Sequence, residues 1–163
     1  MTVDQRTPEA PTSRPRSVFF QVGSPSSDSA TAPLDPDPDG GRLPEASAHF
    51  AGRVGRESLV SNPDTDGISL TIFHFAPGTL LPRHRHNVDY IEFVLEGEVH
   101  HGNRVVGPGG GVFRSGGVPY SFYAGPEGAT IADFRAHTFY TTEYLDDPAD
   151  WPAHHDWDAD NAE

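Results

Sequence analysis

Residues Pro77 to Gly97, PGTLLPRHRHNVDYIEFVLEG, constrain the fold more than any other stretch of the chain. A Pro-Gly turn is followed by His84 and His86, two residues apart, and then by the β-branched and aromatic run Tyr90 to Leu95, stopped at Glu96-Gly97. In extended backbone, side chains repeat every second residue, so the two imidazoles share a face. Tyr90 to Leu95 reads as a strand by composition. A His-x-His strand followed by a strand bearing Glu92 supplies the donors of a two-histidine, one-carboxylate metal centre.

The rest of the chain supports an all-β reading. From His49 onward, short apolar runs alternate with Gly, Pro and Asn-Pro punctuation. Strands are predicted at Arg56–Val60, Ile68–Phe75, His84–His86, Tyr90–Leu95, Glu98–His101, Val112–Phe113, Tyr120–Tyr123 and Ala129–Arg135. The sequence predicts turns at Gly97, Gly102-Asn103, Ser115–Pro119 and Gly125–Gly128. Short strands at this spacing, with almost no helical periodicity, indicate a sandwich or barrel.

The pattern resembles the first motif of the cupin superfamily, Gly-x5-His-x-His-x3-Glu-x6-Gly. Gly78, His84, His86 and Gly97 stand at its spacings, with Tyr90 where the family has its glutamate. The second motif falls on Gly109 to Ala124. There Gly109 and Gly117 match, while Ser115, Tyr120 and Ala124 replace the usual proline, histidine and asparagine. The resemblance covers about residues 50–137 and implies a single-domain jelly-roll β-barrel with a small interior cavity. It places Tyr90, Glu92 and Val94 toward that cavity. It further implies a divalent-metal enzyme acting on a small aromatic or oxygen-bearing substrate, a dioxygenase first and a lyase or isomerase second. The ion would be Fe, Mn, Ni or Zn, held by His84, His86 and Glu92.

Tyr120 and Tyr90 are the candidate catalytic groups. A phenol titrating near 10 is a poor exchange for an imidazole ligand, but it can donate a hydrogen bond or move a proton. His101, two residues beyond Val99 on an alternating face, is a further candidate ligand, and His74 and His137 rank below it. Glu92 inside an apolar barrel requires a cation or an ion pair; Arg135 is the alternative partner. A rival reading is a metal-free barrel that binds a small ligand for sensing or storage.

Composition sets the outer bounds. Residues 1–47 hold eight of the sixteen prolines and read as a mostly disordered arm. Its one apolar patch, Ser17–Val22, could add as an edge strand. Residues 48–137 form the barrel, and residues 138–163 an acidic, aromatic tail whose Trp151 and Trp157 pack against it. A net charge of −13 argues against nucleic acid and anionic membranes as partners. Without cysteine there are no disulfides or thiolate ligands. With no apolar leader or spanning run, a cytoplasmic location is expected. Ile91, Phe93 and Leu95 are apolar on the face opposite Glu92, so a second layer, most simply the partner of a homodimer, is expected to cover them.

Overall fold

The computed structural model describes residues 43–60, 66–152 and 154–157. The Ser17–Val22 patch and most of the arm lie outside these residues. A short helix, α1 (Leu43–Phe50), comes first, across the boundary drawn at residues 47/48. Eight antiparallel strands follow: β1 (Val54–Val60), β2 (Ser69–Phe75), β3 (Leu80–His86), β4 (Tyr90–His101), β5 (Arg104–Val106), β6 (Gly111–Arg114), β7 (Tyr120–Arg135) and β8 (Thr142–Tyr144). They curl into one sheet of order β1-β2-β7-β3-β8, with β4 joining β7 to β5 and β6. This is the jelly-roll barrel expected from the sequence.

Two predicted turns are interior points of long strands instead. Gly97 and the Gly125–Gly128 segment lie inside β4 and β7, which pair with each other along most of their lengths. The pairing slips near Gly97, where the register shifts between Val94 and Glu96 and again between Gly97 and Val99. Gly97 has φ of 66°, and a Cβ there would run into the Gly128 carbonyl. Glycine is therefore required by a bulge and a close backbone approach, not by a hairpin.

The interior is divided along its length. Phe75, Val94, Val99, Phe122, Ala124, Ala129 and Ile131 form an apolar cluster at one end. Following the register of β4 and β7 away from it, Val94 faces Ile131, Glu92 faces Asp133, and Tyr90 faces Arg135. The inward positions thus change from apolar to ionisable within two steps of a strand. Tyr90, Glu92 and Val94 are all buried, as the resemblance implied.

On the opposite face, Ile91 and Phe93 are 46 % and 41 % exposed and Leu95 is half-buried, with no described segment sealing them. The C-terminal segment instead crosses the barrel elsewhere: His155 N–H donates to the Gly78 carbonyl at 2.8 Å, and Trp157 Nε1 to the Ala124 carbonyl at 3.1 Å. Trp151 meets His49 of α1 edge-to-face and packs at a tilt on Tyr144 of β8. No helix among the described residues is long and apolar enough to cross a membrane.

Candidate functional site

The polar end of the barrel is built from β3, β4, β6 and β7, with Tyr140 from the segment after β7. On β3 the alternation predicted from His-x-His holds: His84 and His86 are buried, while Arg83 and Arg85 reach Asp146 and Glu143 of the C-terminal segment at 3.9 and 2.7 Å. Both histidines are fixed through Nδ1. His84 Nδ1 lies 2.7 Å from the Pro82 carbonyl and His86 Nδ1 3.1 Å from the Thr141 carbonyl. Carbonyls only accept, so each Nδ1 carries the hydrogen and each Nε2 presents a lone pair. Those two lone pairs meet at one group. The Tyr120 hydroxyl is 2.8 Å from His84 Nε2 and 3.4 Å from His86 Nε2.

Burial controls the protonation of this triangle. It lowers the His84 pKa to about 4, despite the Pro82 hydrogen bond and the Glu92 charge, which act the other way. It lowers His86 to about 2, with His84 adding to the effect. Burial likewise pushes the Tyr120 and Tyr90 hydroxyls well above 10. At neutral pH all four are uncharged, and the phenol is a donor.

The charged members sit beside it. Arg114, at the end of β6, lies 3.8 Å above the Tyr120 ring and 3.6 Å from Glu92 Oε1. His101 Nε2 is 3.5 Å from the same carboxylate oxygen and 3.2 Å from Arg114 Nη2. Arg135 Nη2 donates to Asp133 Oδ2 at 2.7 Å, and its guanidinium packs against the rings of Tyr90 and Tyr140 at 4.8 and 4.1 Å. Burial raises the Asp133 pKa to about 6, with Arg135 opposing. Burial alone would lower the Arg135 pKa; Asp133 and the neighbouring phenols more than offset that.

The four candidate ligands therefore divide into two pairs. His84 and His86 face Tyr120, and Glu92 and His101 face Arg114. The imidazoles suit a divalent ion, having oriented tautomers and convergent lone pairs. The carboxylate does not join them, because it lies beside the Arg114 guanidinium instead. Among the described residues no three His, Asp or Glu side chains gather as a metal-holding group. His84 and His86 thus converge on Tyr120, with Glu92 turned to Arg114. The ion-pair partner of Glu92 is Arg114 and not Arg135, which is taken by Asp133. His74 pairs with Glu57 and His137 with Asp66, both away from this cluster.

Sequence reasoning missed Arg114, Asp133 and Tyr140. A signal existed for Asp133: it is an acidic residue two positions before Arg135, on the inward side of a strand whose preceding inward residues are Ala129 and Ile131. An open groove of about 670 Å³ lies between α1 and the C-terminal segment, lined by Glu45, His49, Asp147 and Trp151 among others. None of the candidate residues lines it.

No protein-family model and no curated protein matches the chain. Solved structures do. The chain is similar to the polyketide cyclase RemF from Streptomyces resistomycificus, with TM-score 0.51 and 25 % identity over 62 % of this chain and 81 % of that one. It is similar to an RmlC-like cupin protein from Ralstonia eutropha, with TM-score 0.50 and 20 % identity over 67 % and 70 % of the two chains. The DMSP lyase DddQ from Ruegeria pomeroyi matches with TM-score 0.50 and 22 % identity over 58 % of this chain and 53 % of that one, so the match spans about half the length of that lyase.

Proposed function

We propose that this protein, which has the cupin fold, is a small-molecule enzyme whose chemistry is proton transfer at Tyr120, in the lyase or isomerase class. The 2.8 Å hydrogen bond from the Tyr120 hydroxyl to a His84 nitrogen of fixed tautomer carries this reading. Of the reaction classes that the resemblance implies, it favours proton transfer over oxygen chemistry.

The chain's own groups suffice for a balanced step. A proton leaving a substrate carbon goes to the Tyr120 oxygen as the phenol's hydrogen passes to His84 Nε2. The electron pair stays on the substrate and the charge on the imidazole. The same hydrogen bond carries the proton back, from His84 Nε2 through the Tyr120 hydroxyl to the substrate. Return to a different carbon is isomerisation; expulsion of a leaving group by the electron pair is elimination. Arg114, stacked on the phenol, favours the negative charge that the electron pair leaves on the substrate beside it. The Pro82 carbonyl keeps the His84 lone pair aimed at Tyr120 throughout.

The test is exchange in D2O, followed by NMR, over a panel of small carbonyl compounds and β-substituted acids. Wild-type protein should incorporate deuterium into, or eliminate from, at least one of them. Tyr120→Phe keeps the ring and should lower the rate by roughly 10²–10⁴-fold. Turnover unchanged in that variant would remove Tyr120 from the chemistry. Binding without turnover would favour the sensing or storage barrel instead.

A further inference from the structure

Arg135 is 2 % exposed and has five N–H hydrogens, yet Asp133 provides one acceptor, at Nη2. Among the described residues its Nε and Nη1 have no hydrogen-bond partner, nor does Arg114 Nε. The two guanidiniums lie in register on either side of Tyr90, which pairs with Arg114 on one edge and Arg135 on the other. Tyr90 and Tyr140 pack against Arg135, leaving its hydrogen-bonding edge unmet. Buried cationic N–H groups left unpaired are costly, so a cluster of them in one interior marks the place of an absent acceptor. Glu92 Oε1 and Asp133 Oδ1, also without hydrogen bonds, add acceptors for a hydroxyl beside it.

We infer that the polar end of the barrel binds a small carboxylic acid, its carboxylate on the free N–H groups of Arg135 with Arg114 alongside. This rests on the proposal that the Tyr120 site handles a small molecule, and it names that molecule's class. A monoanion suits the interior better than a phosphate dianion. Two guanidiniums already face two carboxylates there, and every further unpaired charge must be desolvated. The acid would lie at the hydrogen-bonding edge of Arg135, with its reacting carbon toward Tyr120.

Calorimetry and thermal melting with lactate, propionate, benzoate and inorganic phosphate, each acid matched by its amide, test the assignment in wild-type and Tyr120→Phe protein. One acid should bind saturably to both proteins and raise the melting temperature, while its amide and phosphate do not. Arg135→Gln should weaken that binding roughly 30-fold or more. Because Arg135→Gln can perturb folding, Asp133→Asn is the companion: it removes the competing carboxylate and should keep or strengthen binding. Acids and amides that bind alike, phosphate that binds best, or no binding at 10 mM (about the weakest useful affinity) would overturn the inference and leave this interior to water. Using Tyr120→Phe separates the two ideas, since a failed proton-transfer proposal leaves acid binding intact.

Discussion

His84 and His86 are held neutral by burial, and this makes the fold sensitive to acid. An unfolded histidine titrates near 6.5, whereas these titrate at about 4 and about 2. Between those values the unfolded chain binds more protons, so their contribution is complete above pH 6.5 and is lost as pH falls toward 4. Each contributes about 1.4 kcal/mol per pH unit in that window. Asp133, raised to about 6, acts in the opposite sense below pH 6 and offsets one of the two. Urea unfolding of metal-free protein should therefore show roughly 1–3 kcal/mol less stability at pH 5 than at pH 7. A flat profile would mean that water reaches the imidazoles. The same residues make a prediction about ions. Any divalent ion that co-purifies with tag-free protein should be lost in His84→Ala and His86→Ala, and kept in Glu92→Gln, as read by elemental analysis. Loss in Glu92→Gln would restore the carboxylate to the ligand set. The histidine pair was legible because spacing alone puts both rings on one face. The direction of Glu92 was not, because Arg114 and His101 approach it through strand pairings that no local pattern encodes.

At the scale of the strand, β4 tests how glycine is used. Gly97→Ala meets both a positive φ and the Gly128 carbonyl, and should destabilise by more than about 2 kcal/mol. Gly102 has φ of 61° with open space around it, so Gly102→Ala should lose only about 1 kcal/mol. Equal losses in thermal melts would mean that the bulge is not a tight contact. Both glycines read as turns in the sequence; what separates them is a distant neighbour on β7. The outer face of the same strand makes a different prediction. Phe113, Ile91 and Phe134 stand in register across β6, β4 and β7 and are 63 %, 46 % and 44 % exposed, with Phe93 beside them. These four side chains expose on the order of 350 Å². That is nearly half of what one partner contributes to a standard interface of about 800 Å² per side. A second copy of the chain is the expected occupant, because a row of this kind is self-complementary about a two-fold axis. Light scattering should give a dimer for wild-type protein and a single chain for Ile91→Glu with Phe113→Asp. A wild-type protein that runs as one chain would contradict this.

For the molecule as a whole, the jelly roll was readable from turn residues and alternation, because both are local. The helix at Leu43–Phe50 was not: it is only eight residues long, and it docks through long-range contacts such as His49 Nε2 to the Leu80 carbonyl. The two tryptophans of the tail do pack on the barrel, as their size and apolarity suggested. The polar interior was half legible, since Tyr90, Glu92 and Tyr120 follow from motif positions while their cationic neighbours arrive from other strands. One strand gathers these parts. β7 pairs with β2, β3 and β4, and it lies near the C-terminal end of the sheet order in sequence. On the ribosome, β2, β3 and β4 therefore emerge before the strand that joins them to one another. At roughly 5–20 residues per second, the stretch from the end of β4 at His101 to the end of β7 at Arg135 takes about two to seven seconds to follow. Throughout that interval the nascent chain carries open strand edges and an unburied apolar row, so the barrel closes late in synthesis and chaperones have their opportunity before it does.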